Sequence, residues 1–202
     1  LLDTLNTKGH ARTLIRAPQN PILEPKPGFD SVATFNAAAV DIDDTAYILY
    51  RAMDADHTST VGLALSKDGV HVDERLPTPC YVPRADFEAK RGHPTGNSGC
   101  EDPRIVRIDD MLYMTYTAYD GVRAPRGAIT SISVKDFLAR KFDAWTMPVH
   151  VTPDQVDDKD VGLLSEAIKG QYLLYHRVSG RICADLLPDL TFKKPVSRCI
   201  EI

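Results

Sequence analysis

Arg104-Ile105-Val106-Arg107-Ile108, then Asp109-Asp110, then Leu112-Tyr113-Met114-Thr115-Tyr116-Thr117 reads as strand, tight turn, strand. β-Branched and aromatic side chains fill both arms and suit a pleated, half-buried surface. The Asp-Asp pair marks the turn. A third arm follows at Gly127-Ala128-Ile129-Thr130-Ser131-Ile132-Ser133, closed by Lys135-Asp136.

The same pattern stands on either side. One copy runs from Ala37 to Ile42, turns at Asp43-Asp44-Thr45, and continues through Tyr47–Arg51 and Thr60–Ser66 to Lys67-Asp68-Gly69. Another runs through Leu163–Ile168, Lys169-Gly170, Tyr172–Arg177 and Arg181–Leu186. Tyr47, Tyr113 and Tyr172 mark matching points, spaced by 66 (113 − 47) and 59 (172 − 113) residues. Repeats of this length, each a small antiparallel sheet, predict an all-β fold and a β-propeller; a β-sandwich is the alternative. The third copy ends near Pro188, and the tail to Ile202 reads as the start of a fourth unit. The expectation is therefore about three blades and part of a fourth, in a single domain over 1–202. Residues 1–30, with Pro18, Pro21, Pro25 and Pro27, read as an N-terminal arm. Val134–Ala139 suits one turn of helix.

Composition narrows the function classes. The 202 residues are 43% hydrophobic, enough for a sizeable core. Lys and Arg number 24 against 28 Asp and Glu, for a net charge of −4. No basic run or basic-aromatic interleaving suggests a nucleic-acid partner. No apolar run approaches the length of a membrane span. No leader is visible, so a cytoplasmic location is expected, with a periplasmic one the alternative if a leader has been removed. Cys80, Cys100, Cys183 and Cys199 are far apart and are expected to be reduced. His10, His57, His71, His93, His150 and His176 show no metal-ligand spacing, so no metal is expected.

The repeat also locates a site. Eleven residues before each marker tyrosine stand Asn36, Asp102 and Val161, with Asp160 beside the last. In a propeller the first strands of the units surround a central channel, so these positions converge on one funnel. Asp102 precedes Pro103, which favours an extended backbone. Glu101 and Arg104 flank that pair, and Lys159 precedes Asp160. The second-strand ends add Arg51, Tyr119-Asp120 and His176-Arg177. Structural readings stand beside these. Arg51 and Arg177 can pair with Asp102 or Asp160 to hold blades together. His176 can be a core histidine, and Tyr50, Tyr116 and Tyr175 suit blade packing better than sugar stacking.

A series of motifs in order resembles a known family. They are Asn20-Pro21-Ile22-Leu23, Phe35-Asn36-Ala37-Ala38, Leu49-Tyr50-Arg51-Ala52, Leu63–Gly69, Glu101-Asp102-Pro103-Arg104, Tyr116–Asp120, Lys159-Asp160 and His176-Arg177. Together, over residues 20 to about 192, they resemble glycoside hydrolase family 130, the β-mannoside phosphorylases and β-1,2-mannosidases. The resemblance implies a five-bladed propeller and inversion at the anomeric centre of a β-mannoside. It implies Asp102 as general acid, reaching the leaving oxygen through a mannose hydroxyl. It also implies that Asn36, Arg51, Glu101, Arg104, Tyr119, Asp120, Lys159, Asp160, His176 and Arg177 bind substrate. Inverting displacement needs a proton donor on one face of the sugar and a nucleophile on the other. Because family members are longer, this chain is expected to be truncated, and an open propeller to self-associate through unpaired edges.

Leu164-Ser165-Glu166 decides hydrolysis against phosphorolysis in this reading. Many phosphorylases of the family place Phe-Pro-Arg there, where the Arg grips phosphate. A Glu would repel the anion by about 4 kcal/mol at 4 Å and an effective dielectric near 20. It can instead polarise water as a general base. The expectation is thus an inverting β-1,2-mannosidase with Asp102 as acid and Glu166 as base, acting on mannose-containing oligosaccharides without a cofactor. The alternatives are a phosphorylase that uses inorganic phosphate as co-substrate to form α-mannose 1-phosphate, and a non-catalytic carbohydrate-binding propeller fragment.

Overall fold

The computed structural model describes residues 16–153, 156–192, 196 and 200–201. They form twelve strands. Strands β1 (Ala33–Ile42), β2 (Thr45–Met53), β3 (Thr58–Ser66) and β4 (Glu74–Arg75) pair in sequence as an antiparallel meander. Strands β5 (Ser98–Ile108), β6 (Met111–Tyr119), β7 (Arg126–Ser133) and β8 (Val149–His150) repeat it. So do β9 (Asp158–Leu163), β10 (Tyr172–Val178), β11 (Arg181–Leu187) and β12 (Ile200–Glu201). The chain is all-β, and these are three blades of a propeller. The tail supplies β12, the outermost strand of the third blade. The part of a fourth unit expected there is thus absent from the described residues.

The expected helix exists as α1 (Val134–Leu138), capped at its start by Ser133, whose hydroxyl accepts from Asp136 N. The third unit departs from expectation. Its first strand is Asp158–Leu163, and residues 164–171 form the hairpin connection where a strand over Leu163–Ile168 was predicted.

Apolar side chains between blades hold them together. Leu49, Val61, Leu63, Leu112, Met114, Tyr116, Phe137 and Trp145 fill the space around the first and second blades. Ile129, Val151, Val161, Leu163 and Leu174 fill the space between the second and third. Ile48, Tyr50, Ala52 and Ala64, on the other face of the first blade, are covered by Ile22, Leu23 and Phe29 of the N-terminal arm. Burial of this kind yields roughly 25 cal/mol per Å² of apolar surface.

The two seams differ. Strands β3 and β5 pair in parallel at Thr58–Ser98 and Ser59–Gly99, which joins the first two blades into one sheet. Gly99 is required there: its φ is 99°, and an added Cβ would lie 2.2 Å from the Ser59 carbonyl oxygen. The third blade is a separate sheet. It meets the second through side chains, among them Thr115, whose hydroxyl donates to the Val161 carbonyl at 2.6 Å, and through isolated backbone bonds from Asp158 N to the Pro125 carbonyl at 3.0 Å and from Val196 N to the Val151 carbonyl at 2.8 Å.

Cys80 and Cys100 are free and buried. Cys183 is disulfide-bonded, which corrects the expectation of reduced cysteines at that position; Cys199 lies outside the described residues.

Candidate active site

Each inner strand carries the same irregularity at the same place. In β1 the pairing skips from Phe35–Arg51 to Ala38–Leu49, so Asn36 and Ala37 oppose Tyr50 alone. In β5 it skips from Glu101–Thr117 to Arg104–Thr115, leaving Asp102 and Pro103 opposite Tyr116. In β9 it skips from Lys159–Arg177 to Gly162–Tyr175, leaving Asp160 and Val161 opposite His176. The first residue of each bulge is left-handed, with φ of 47° at Asn36, 52° at Asp102 and 55° at Asp160. Asn and Asp tolerate that region where other side chains lose about 1–2 kcal/mol. The bulge therefore explains the residue type, and it re-aims the side chain. It also explains why Asp102 departs from the extended backbone expected before proline.

These three side chains converge. Asn36 Nδ2 donates to Asp102 Oδ1 at 2.8 Å. Arg51 Nη1 donates to the same oxygen at 3.0 Å, its Nη2 to Glu101 Oε1 at 2.7 Å, and its Nε to Ser59 Oγ at 2.9 Å. The Arg51 guanidinium lies 4.7 Å from the centre of the Phe35 ring. Side-chain exposure is 8% for Arg51, 12% for Glu101 and 27% for Asp102, so Asp102 is the one that faces solvent. Asp102 Oδ2 receives no hydrogen bond among the described residues. Asp160 accepts from Arg177 Nε at 2.6 Å on one oxygen and from Arg104 Nη2 at 3.3 Å on the other. Asn36, Ala37, Asp102, Pro103, Arg104 and Asp160 line a cavity of about 270 Å³.

Burial pushes the Glu101 carboxyl up, and the Asp102 charge adds to this; Arg51 and Lys159 oppose it without cancelling it. Asp160 shows the reverse balance. Burial works against its charge, but the Arg177 and Arg104 guanidiniums outweigh it and hold its carboxyl below the usual range. Two half-exposed guanidiniums thus flank one carboxylate beside the cavity.

Other expected site residues lie elsewhere. His176 is a core histidine: its ring bridges Asp158 Oδ2 at 2.6 Å and Asp185 Oδ2 at 2.7 Å, and its side chain is 2% exposed. Both nitrogens are occupied, so substrate binding by His176 is corrected to a structural role. Asp120 is buried, and it accepts from Val122 N, Arg123 N and Arg123 Nε, fixing its own loop. It lines a separate cavity of about 500 Å³ with Phe87, Ala118, Arg123, Ala124, Arg126 and His150. Tyr119 is half-buried at the end of β6, opposite Gly99. Lys159 is half-buried near Glu101. Glu166 is exposed in the β9–β10 hairpin. Glu166 is not among the residues that line the cavity around Asp102.

Ser59 and Phe35, which hold Arg51, went unnoticed in the sequence. A lone serine or phenylalanine in a strand carries no signal of its own.

The family described as beta-1,4-mannooligosaccharide phosphorylase, Glyco_hydro_130, matches residues 8–192. Two curated relatives, both from Thermoanaerobacter sp. (strain X514), are each 30% identical. A 1,2-beta-oligomannan phosphorylase matches 81% of this chain and 53% of its own length. A beta-1,2-mannobiose phosphorylase matches 81% of this chain and 54% of its own. The chain thus spans about half the length of these relatives. A glycosyl hydrolase from Bacteroides ovatus superposes with a TM-score of 0.69 at 25% identity, over 86% of this chain and 55% of that one. The fold is that of the five-bladed propellers, of which the described residues form three blades.

Proposed function

The chain belongs to glycoside hydrolase family 130, and from that membership we propose that it carries the proton-donor side of a β-mannoside phosphorylase site. The observation that carries this reading is the hold on Asp102. Asn36 and Arg51 both bind Oδ1, which leaves Oδ2 of this cavity-lining residue without a hydrogen bond among the described residues. A donor fixed through one oxygen presents the other in a constant direction, which is what proton transfer to a leaving oxygen needs.

One mannosyl unit of a β-linked oligosaccharide occupies the 270 Å³ cavity in this reading. Asp102 gives its proton toward the leaving oxygen. Inorganic phosphate attacks the anomeric carbon from the other face, forming α-mannose 1-phosphate and releasing the shortened sugar. Arg104 and Arg177, both half-exposed beside Asp160, are the cationic groups available to an anionic acceptor. Both named relatives are phosphorylases of β-1,2-linked mannosides, which supports the same choice. Glu166, the base expected for hydrolysis, is absent from the cavity lining, which favours the same choice.

The test is incubation of the protein with β-1,2- and β-1,4-mannobiose, with and without phosphate. Mannose 1-phosphate formed only when phosphate is present is the expected result. Free mannose released without phosphate means a hydrolase. Mannobiose binding without turnover means a non-catalytic module.

A further inference from the structure

Under each of the three bulges lies the same device. The one residue facing the bulge carries a polar head, and that head is bound to a buried carboxylate. In the first blade Tyr50 OH donates to Asp30 Oδ2 at 3.0 Å, and Arg75 Nε donates to Tyr50 OH at 3.0 Å. In the third, His176 lies between Asp158 and Asp185. In the second, Tyr116 OH donates to Glu88 Oε1, which also accepts from Tyr81 OH at 3.2 Å and Cys100 Sγ at 3.4 Å. Glu88 Oε2 accepts from Arg84 N at 2.9 Å and Ala85 N at 2.8 Å. Glu88 is 0% exposed and five donors surround it, so the carboxylate sits in a finished socket.

The residues that contribute these carboxylates are unrelated in the chain. Asp30 comes from the N-terminal arm, Glu88 from the connection between the first two blades, and Asp158 and Asp185 from the third blade's own strands. The third strand makes room beside each head with Gly62, Ala128 or Cys183. An added Cβ on Gly62 would lie 2.2 Å from the Tyr50 ring. Four carboxylates of unrelated origin, serving one geometric position in three blades, point to a requirement of the bulge itself. A bulge lacks ladder bonds, and its left-handed residue persists only where its surroundings fix it.

We infer that Glu88, acting through Tyr116, is a positioning residue for Asp102. Tyr116 is the cross-strand partner of the Asp102-Pro103 bulge, and Cys100, two residues before Asp102 on the same strand, donates to the same carboxylate oxygen. Glu88 thus grips β5 on one side of the bulge and β6 directly beneath it. It sets the depth at which Asp102 stands in the cavity wall. This rests on the phosphorylase reading of the site and extends it to residues that touch no substrate.

The experiment compares Tyr116→Phe and Glu88→Gln with the parent protein on β-1,2-mannobiose and phosphate. Displacing a proton donor weakens the transition state more than the ground state. The expected result is a fall in kcat of about tenfold or more, with KM within about threefold. Leu112→Val, buried farther along β6, supplies a matched loss of stability and leaves kcat unchanged. A kcat within twofold of the parent in both anchor variants overturns the inference, as does an equal fall in Leu112→Val. If Tyr116→Phe does not fold, Glu88→Gln, which keeps the shape, decides the matter alone. If the parent turns over no mannoside, the functional reading has failed and the anchor is judged separately. Amide hydrogen exchange at Glu101 and Arg104 then rises in Glu88→Gln and not in Leu112→Val, and equal exchange overturns it.

Discussion

Asn36 and Asp102 lie 66 residues apart and meet at 2.8 Å, amide nitrogen to carboxylate oxygen, each from the left-handed first position of a bulge. The contact crosses from one blade to the next. Propeller geometry alone brings the two together, because each occupies the same place in its own repeat.

Asp102→Asn is the sharpest test of the proton donor. Asn tolerates the left-handed backbone and still accepts from Asn36 and Arg51 through Oδ1, so the thermal midpoint stays near that of the parent. Turnover of β-mannosides falls by about 100- to 10,000-fold, the usual worth of a general acid. Asp102→Ala adds a stability loss of about 1–2 kcal/mol, since alanine does not tolerate the backbone. Calorimetry and a mannose 1-phosphate assay on both variants check this.

Arg51→Met strands a carboxylate. Glu101 keeps its burial and its repulsion from Asp102 but loses the guanidinium at 2.7 Å. Breaking such a buried pair from one side costs about 3 kcal/mol. The Glu101 carboxyl, already above its ordinary 4.5, rises further, so the variant's penalty is present at neutral pH and shrinks as acid protonates Glu101. Urea midpoints for parent and variant at neutral and mildly acidic pH measure it, and a pH-independent difference contradicts it.

His176 makes the third blade sensitive to alkali. Burial opposes the imidazolium, but Asp158 and Asp185 outweigh it and raise the histidine above its ordinary 6.5. A raised folded value means the stabilisation is complete below 6.5 and is lost as pH climbs through the folded value. The slope is at most about 1.4 kcal/mol per pH unit. In His176→Gln that slope disappears, which denaturation curves on the alkaline side of 6.5 detect.

Glu166→Gln changes little. The side chain is exposed in the β9–β10 hairpin, and such surface changes stay within about 0.5 kcal/mol. Turnover is unchanged as well. A loss of about 100-fold would return Glu166 to the site as a base and reopen the hydrolytic reading.

The repeat was legible in the sequence because strand pairs leave an apolar-aromatic signature around short polar turns. The site was legible because a bulge selects Asn or Asp, as at positions 36, 102 and 160. What failed was length. Eleven residues separate Asn36 from Tyr47 and Asp102 from Tyr113, but thirteen separate Asp160 from Leu173, the true counterpart of those tyrosines. The longer third hairpin drew the count to Val161 and made Glu166 read as part of a strand. His176 misled because a histidine beside an arginine looks the same in sequence whether it faces solvent or two buried aspartates. Glu88 belongs to no repeat, and only the packed chain reveals what it holds.

The parallel pairing at Thr58–Ser98 and Ser59–Gly99 also divides the molecule in time. A parallel ladder stitches the first two blades, whereas the third is joined to its neighbour by side chains and by isolated backbone bonds, from Asp158 N to the Pro125 carbonyl at 3.0 Å and from Val196 N to the Val151 carbonyl at 2.8 Å. Amide protons in β10 and β11 therefore exchange as one cooperative group, earlier than those of β2 and β6. The carboxylate of Asp160 travels with that looser group, so the pocket's far wall opens and closes at the pace of a whole sheet.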